Sequence, residues 1–255
     1  MMTITEVVIL FVAAVVGGTL NAVAGGGSFV TFPALVFTGV PPITANATST
    51  VALWPGSIAS TAAYRNEFNA ERRTLILLGS SSLIGGVLGA ILLLKTPQAT
   101  FDRLVPLLLL LATVLFTFGG SLTKRLRGHF ADDAKPTARS TTGIVVVQFI
   151  VGIYGGYFGG GLGIIILAVL AILGMTSLHR MNALKTLLQA CVNGVAVLTF
   201  IVANAVTWPQ ALVMIVGSIV GGYGAAHYAR RVDPRIIRGG VTIVGFAMSI
   251  YFFVR

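Results

Sequence analysis

Ten apolar runs follow one another along the chain, at roughly 4–24, 29–40, 45–64, 74–94 and 101–122, then 141–160, 162–174, 181–204, 208–229 and 235–254. Polar residues collect between them. Most runs approach the ~20 residues that a helix needs to cross the ~30 Å hydrocarbon core of a bilayer. Those at 29–40 and 162–174 are too short, and are predicted to be half-helices or re-entrant segments. Two helix starts are also legible. Thr96-Pro97 and Asp233-Pro234 each put a capping side chain before a proline at the first helical position.

The pattern repeats. The one long polar stretch, which opens Lys124-Arg125-Leu126-Arg127-Gly128-His129 and runs to Arg139, separates a first transmembrane repeat (1–122) from a second (141–255) by a linker at 123–140. Gly25-Gly26-Gly27 recurs 134 positions on as Gly159-Gly160-Gly161, and Gly85-Gly86 recurs 136 positions on as Gly221-Gly222. Five apolar segments per half, one of them short, make a tandem repeat.

Composition says what surrounds these helices. Of 255 residues 56% are hydrophobic and only 9% are charged, against about 25% charged in soluble domains, and mean hydropathy is +0.94. A surface for water cannot be built from this, so an all-α polytopic membrane protein is expected, with lipid as its main solvent. The net charge of +10 would suggest nucleic acid only if the cations shared a soluble face, and they lie between apolar runs instead. Placing 65–73, 123–140, 174–185 and 230–238 on one side collects fourteen Lys and Arg residues there and leaves Lys95, Arg103 and Arg255 opposite. The positive-inside rule makes that side cytoplasmic and puts both termini outside. The two repeats then run in opposite senses, as an inverted repeat. Ala22-Val23-Ala24 resembles a signal-peptidase site, but no Lys or Arg precedes the first run and Glu6 stands where a basic region belongs, so Ile4–Ala24 is read as a retained helix. Cys191 is the only cysteine, which excludes an intrachain disulfide and a multi-cysteine metal site.

Inverted repeats with interrupted helices form transporters, because two like but opposed halves can exchange inward-open and outward-open shapes around one site. If short helices begin just after the triple glycines, their free N–H groups and positive dipole ends face into the protein and attract anions. The same glycines also suit plain helix contact, since Gly18, Ala22 and Gly26 fall four apart, as do Gly152, Gly156 and Gly160. Nucleotide binding is a poor reading, as no Gly-Lys-Ser/Thr occurs. The acidic residues Glu6, Glu67, Glu71, Asp102, Asp132, Asp133 and Asp233 all fall outside the predicted spans or at their ends. Proton and sodium carriers use buried carboxylates, so an anionic cargo is favoured.

Polar residues that enter the spans are Asn21, Asn46, Thr48, Ser49, Asn182, Lys185, Gln189 and Asn193. The last four share one helix face that could line a pathway. Interhelical hydrogen bonding also accounts for the amides, and is the plainer reading of Asn193. Lys185 either snorkels to the cytoplasmic surface or touches the anion. His179 and Arg180 read as interfacial, and Trp54-Pro55-Gly56 as a kink with packing value. His129, His179 and His227 have no metal-ligand or nucleophile–base spacing, so neither a catalytic residue nor a metal or cofactor is expected.

The runs Asn21-Ala-Val-Ala-Gly-Gly-Gly-Ser28 and Gly155-Gly-Tyr-Phe-Gly-Gly-Gly-Leu162, with Ala45-Asn-Ala-Thr-Ser-Thr50 opening the next helix, resemble the TauE/SafE sulfite exporter family, also called the four-toluene-sulfonate uptake permease family. The resemblance covers nearly the whole chain. It implies a carrier for sulfite, a sulfonate or a similar small anion, most simply an exporter. The alternatives are an importer of a small organic anion, or a membrane-embedded enzyme or accessory subunit. The substrate-binding residues expected are Asn21, Gly25, Gly26, Gly27, Ser28, Asn46, Thr48, Ser49, Gly159, Gly160, Gly161, Asn182, Lys185 and Gln189. One asymmetry stands out: Asn182-Ala-Leu-Lys185 replaces Asn46-Ala-Thr-Ser49. Hydroxyls from one half would meet a cation from the other.

The charge bias makes a prediction about topology. Single cysteines introduced in a Cys191→Ala background should label from the cytoplasm at 124–139 and from outside near both termini. Labelling of residue 2 from the cytoplasm alone would overturn the inverted arrangement.

Overall fold

A computed structural model describes residues 2–63, 72–130, 138–173, 175, 177–228 and 234–254, and all regular structure among them is α-helical. The helices are α1 (Ile4–Ala24), α2 (Ser28–Phe37), α3 (Pro42–Ala63), α4 (Arg72–Lys95), α5 (Gln98–Phe130), α6 (Ala138–Tyr157), α7 (Leu162–Ile172), α8 (Leu178–Val202), α9 (Trp208–Tyr228) and α10 (Pro234–Val254). Each apolar run becomes one of them. Residues 131–137 of the linker, Arg65, Arg230, Arg231 and Asp233 lie outside the described residues, so the cap expected at Asp233 does too.

Local chemistry explains several boundaries. Thr3 and Glu6 form a capping box, with the Thr3 N–H on the Glu6 carboxylate at 2.8 Å and the Glu6 N–H on the Thr3 hydroxyl at 3.3 Å; the acidic residue in the first turn of the first run therefore marks a helix start. α1 ends at Gly25, whose φ of 75° is left-handed and whose N–H closes back on Leu20 and Asn21. Thr96 does not cap α5 as expected. Its hydroxyl donates instead to the Leu92 carbonyl of α4 at 2.7 Å, and the Pro97 carbonyl accepts the first bonds of α5. α2 and α7 hold 10 and 11 residues, about 15–16 Å of helix, or half a bilayer core. Four helices contain windows long and apolar enough to cross by themselves: Ile4–Asn21, Arg73–Lys95, Gln98–Ser121 and Arg180–Val202.

The chain is thus a multi-pass helical membrane protein, and its outer surface agrees. Ile4, Val8 and Val12 on α1, Ile84 on α4, Phe118 on α5 and Val216 on α9 are all exposed. Apolar surface this widespread faces lipid. Inside, Phe29, Phe32, Phe101 and Phe116 are fully buried, with edge-on pairs Phe29–Phe116 at 5.7 Å and Phe32–Phe158 at 5.9 Å worth about 0.5–1.5 kcal/mol each.

Backbones touch where the paired glycines fall. On α1 and α9, Gly18 lies against the Ser218 backbone and Gly221 against the Val15 carbonyl. On α6 and α4, Gly152 lies against the Ser82 carbonyl and Gly85 against the Phe149 carbonyl. The second set is the first displaced by the repeat, 134 positions from α1 to α6 and 136 from α4 to α9. Both pairs run parallel, since Gly217 lies against Phe11 and Gly221, a turn later, against Val15, just as Gly85 lies against Phe149 and Gly89 against Ile153. The pairs of corresponding helices, α5 with α10 and α3 with α8, run antiparallel. Between α5 and α10, the hydroxyls of Thr117 and Thr242 meet at 3.1 Å while Thr113, a turn earlier, meets Gly245, a turn later. Between α3 and α8, the Trp54 indole donates to the Ala190 carbonyl at 3.2 Å, and the later Ser57 stands beside the earlier Lys185 and Thr186.

Helices in lipid gain little from the hydrophobic effect, so such backbone contacts carry much of the packing. Within α4, a Cβ added at Gly89 would strike the Ile153 carbonyl, whereas one at Gly79 meets nothing within 4 Å. Gly89→Ala should therefore lower stability by about 1–3 kcal/mol, and Gly79→Ala should leave it unchanged or raise it by up to ~1 kcal/mol. Melting in detergent checks this; equal melting temperatures would mean that α4 and α6 do not touch.

Candidate functional site

The break between α1 and α2 and the first turn of α7 meet inside the protein. A Cβ built on Gly25 would lie 3.7 Å from the Gly163 Cα, and one on Gly163 would lie 3.0 Å from Gln189 Oε1 and 3.3 Å from Lys185 Cδ. Neither short helix has a side-chain cap at its N-terminus; carbonyls of the glycine breaks accept the N–H groups of Phe29, Val30 and Thr31 in α2 and of Leu162, Ile164 and Ile165 in α7 instead. Gly161, at the start of α7, has a φ of 70°, a conformation open to glycine at no steric cost.

Beside this junction is a cavity of about 10 Å³ lined by Asn21, Ser57, Lys185, Thr186 and Gln189. Asn21 organises it. Its Nδ2 donates to Ser57 Oγ at 3.2 Å, and its Oδ1 accepts from Gln189 Nε2 at 3.5 Å. Lys185 is 6% exposed, so its stem does not carry the ammonium to the surface. No hydrogen bond or ion pair engages that ammonium among the described residues. The volume admits at most about one water. The site is therefore narrow, and sets an unpaired cation beside neutral donors and acceptors. Such a combination can replace the hydration shell of an oxyanion once the cavity widens.

The structure brings together Asn21, Gly25, Lys185 and Gln189 from the expected set. Asn46, Thr48 and Ser49 are engaged elsewhere. Asn46 Nδ2 donates to the Tyr157 carbonyl at 3.0 Å; Thr48 Oγ1 meets Thr207 Oγ1 and accepts the Thr207 N–H, both at 3.1 Å; and Ser49 pairs with Thr31 at 2.6 Å. Among the glycines, Gly26 abuts the Phe116 ring, Gly27 the Leu53 side chain, Gly160 the Phe158 ring, and Gly161 the Ala112 backbone. The Gly160 carbonyl accepts the Tyr154 hydroxyl at 2.6 Å. Gly159 supplies a left-handed turn with φ 73°, Ser28 opens α2 half-buried, and Asn182 is half-buried one turn before Lys185. Contact between helices thus accounts for most of the triple glycines, while Gly25 and Gly163 border the cavity.

Ser57, Thr186 and Gly163 are the cavity residues that sequence reasoning misses. Ser57 lies eight positions after Ser49 on one face of α3, which is a signal of a kind. Its hydroxyl also bonds the Leu53 carbonyl at 3.4 Å, as that of Thr186 bonds Ala183 at 2.8 Å, and such self-satisfied hydroxyls are common in membrane helices. A larger cavity of about 350 Å³ lies between the α2–α3 turn, α5 and α10. Its lining is apolar apart from Asp102, which accepts from Gln98 at 2.8 Å. It offers no cation for an anion.

Broken helices meeting at a buried cation within a lipid-facing bundle define a polytopic membrane transporter. Comparison with known proteins makes the class specific. The sequence model of "Sulfite exporter TauE/SafE" matches residues 10–252, and the chain belongs to that family. A "Probable membrane transporter protein" of Haemophilus influenzae is 28% identical over 242 residues, covering 94% of this chain and 92% of its own length. "Probable membrane transporter protein ORF9" of a Sinorhizobium species is 26% identical over 94% of this chain and 90% of its own. "Probable membrane transporter protein YfcA" of Escherichia coli K12 is 26% identical over 94% and 87% respectively. No solved structure matches the chain.

The glycine contacts can be tested by rescue. A Cβ at Gly26 would lie 2.9 Å from Phe116 Cε2, so Gly26→Ala should destabilise by about 1–3 kcal/mol. Phe116→Leu should destabilise by itself and yet recover part of the Gly26→Ala loss in the double variant. Strict additivity in a double-mutant cycle of melting would mean that the two side chains do not meet.

Proposed function

We propose that this protein carries a small oxyanion or sulfonate of the sulfite type outward across the bacterial inner membrane, by alternating access between inverted repeats at 1–122 and 141–255 joined by a cytoplasmic linker at 123–140. The observation that carries the reading is Lys185, buried without a partner at the cavity where the α1–α2 break meets α7. Asn21, Ser57, Thr186 and Gln189 complete the site, with Gly25 and Gly163 allowing close approach. The family to which the chain belongs supports the substrate class.

The helix pairings support the inverted arrangement. When a two-fold axis relates the halves of a bundle and lies in the membrane plane, helices that map onto each other are antiparallel. The pairs α3/α8 and α5/α10 are antiparallel. An axis along the membrane normal would make them parallel. Under that topology Lys185, seven residues into α8, is about 10 Å from the cytoplasmic end of its helix. The cavity then serves capture from the cytoplasm.

The driving force follows from charge. The acidic residues fall at or beyond the span ends, so the simplest energy source is the membrane potential, negative inside. Each full charge moved outward releases about 2.3 kcal/mol per 100 mV, and a dianion about twice that. Proteoliposomes loaded with sulfite should release it faster under an inside-negative potassium diffusion potential and more slowly when the sign is reversed. Lys185→Gln keeps length and removes charge. Loss of a charged hydrogen bond worth about 1.5–3 kcal/mol should weaken apparent affinity by roughly 10- to 100-fold. Unchanged affinity and flux in a folded Lys185→Gln protein would remove Lys185 from the site. Flux indifferent to potential and driven by a pH gradient would mean proton coupling.

A further inference from the structure

The cavity at Lys185 occupies one end of a longer seam between α3 and α8. On α3, Thr50, Trp54 and Ser57 share a face at spacings of four and three residues, and on α8 Thr186, Ala190 and Asn193 do the same. Because the helices cross antiparallel, Ser57 lies beside Thr186, Trp54 bonds Ala190, and the register puts Thr50 toward Asn193. The repeat offset of 136 turns Thr50 into Thr186, Trp54 into Ala190 and Ser57 into Asn193. The seam therefore maps onto itself when the repeats are exchanged. Its ends differ by Ser57 against Asn193, and its centre is the most lopsided, with a large indole on one side and a methyl on the other.

The two ends differ in state. At the Lys185 end there is a cavity. At the other end Ser49, which corresponds to Lys185, is tied to Thr31 at 2.6 Å, and Thr31 is tied in turn to the Gly27 carbonyl at 3.1 Å. The Asn193 amide, for which an interhelical hydrogen bond is the plain expectation, has none among the described residues. Between the ends the indole also covers Gly194, where a Cβ would lie 3.2 Å from it. Pro55 follows directly inside α3. It has no N–H for the Val51 carbonyl, so α3 lacks a rung at the level of the indole. In α8 the corresponding residue is Cys191, and that helix has no such weak point.

We propose that Trp54 is the central barrier of the permeation path, hinged by Pro55, and that Thr50 and Asn193 form a second, uncharged anion-binding position beyond it. This rests on the reading of the Lys185 cavity as the anion site. The Asn193 amide can donate to an oxyanion, and so can the Thr50 hydroxyl once it leaves the Asn46 carbonyl it bonds at 2.9 Å, but neither adds charge, so the position beyond Trp54 holds the anion less tightly than Lys185 does. Capture is thereby favoured on one side and release on the other. With the indole against Ala190 and Gly194 the two polar ends do not join into a pore.

The experiment uses single cysteines in a Cys191→Ala background, reacted with a membrane-impermeant maleimide from either side of sealed vesicles. Asn193→Cys should label from outside only and be protected by added sulfite, and Ser57→Cys should label from inside only. Trp54→Ala should abolish the sidedness of both and raise passive chloride leak by an order of magnitude or more. Trp54→Phe, which keeps a ring and loses the indole donor, should retain the sidedness. Outside-only labelling of Asn193→Cys in a protein that fails to move sulfite supports the seam and sinks the substrate assignment. Asn193→Cys that reacts from neither side or only from inside overturns the seam, even where Lys185→Gln abolishes sulfite flux. Retained sidedness in a folded Trp54→Ala protein overturns the barrier. Should Trp54→Ala not fold, the labelling of Asn193→Cys with Trp54 intact still decides the outer position.

Discussion

Lipid supplies no hydrogen bonds, and that one constraint shapes the whole molecule. A helix that stops at membrane depth leaves N–H or C=O groups that must be satisfied by protein or by cargo. This chain breaks its run of apolar helices twice inside the bundle, after Ala24 and after Tyr157. At each stop the chain turns through left-handed glycines, and the break is buried beneath neighbouring helices. The close backbone contacts of α1 with α9 and of α4 with α6 make the enclosure tight enough to hold. The glycines that break helices and those that pack them thus serve one end, which is to keep irregular backbone out of lipid.

Under the proposed arrangement of two inverted repeats, function depends on where the copies differ. The Asn46 to Ser49 stretch of α3 is absorbed in bonds to Tyr157, Thr207 and Thr31. Its counterpart on α8 carries Lys185 and leads to Gln189 at the cavity. Leu53, the counterpart of Gln189, packs against Gly17 and Gly27. Thus one copy supplies the lock between helices and the other the polar lining. Two identical copies would give identical ends and no electrostatic difference between them.

The helices are legible in the sequence because apolar length and glycine breaks report burial in lipid directly. The short segments at 29–40 and 162–174 are legible for the same reason. Thr96 escapes such reasoning, because its hydroxyl can either accept from an N–H of α5 as a cap or donate to the carbonyl one turn back, as it does, and spacing cannot choose between them. The site is legible only in part. Lys185 and Gln189 stand out as long polar side chains within an apolar run, and Asn21 as an amide beside a glycine break. Asn46 has the same signature and yet bonds a distant carbonyl on α6. Which polar residues face a cavity depends on α1, α3 and α8 meeting across the repeats, and no local pattern encodes that meeting.

A buried ammonium without a counter-ion costs several kcal/mol. A structural role would favour a nearby carboxylate, or replacement by an apolar residue of similar length. Lys185 has no such partner among the described residues. The cost differs between states of the site. It is greatest when the cavity closes empty, falls when the cavity hydrates, and is offset when an anion enters. Under the proposed function an anion would therefore stabilise the closed, loaded form relative to the closed, empty one, and differential stabilisation of that kind is what a carrier needs to move its cargo. A channel would gain nothing from it, since a deep binding well slows passage. The unpaired lysine and the indole across the same seam thus argue together for a carrier over a pore.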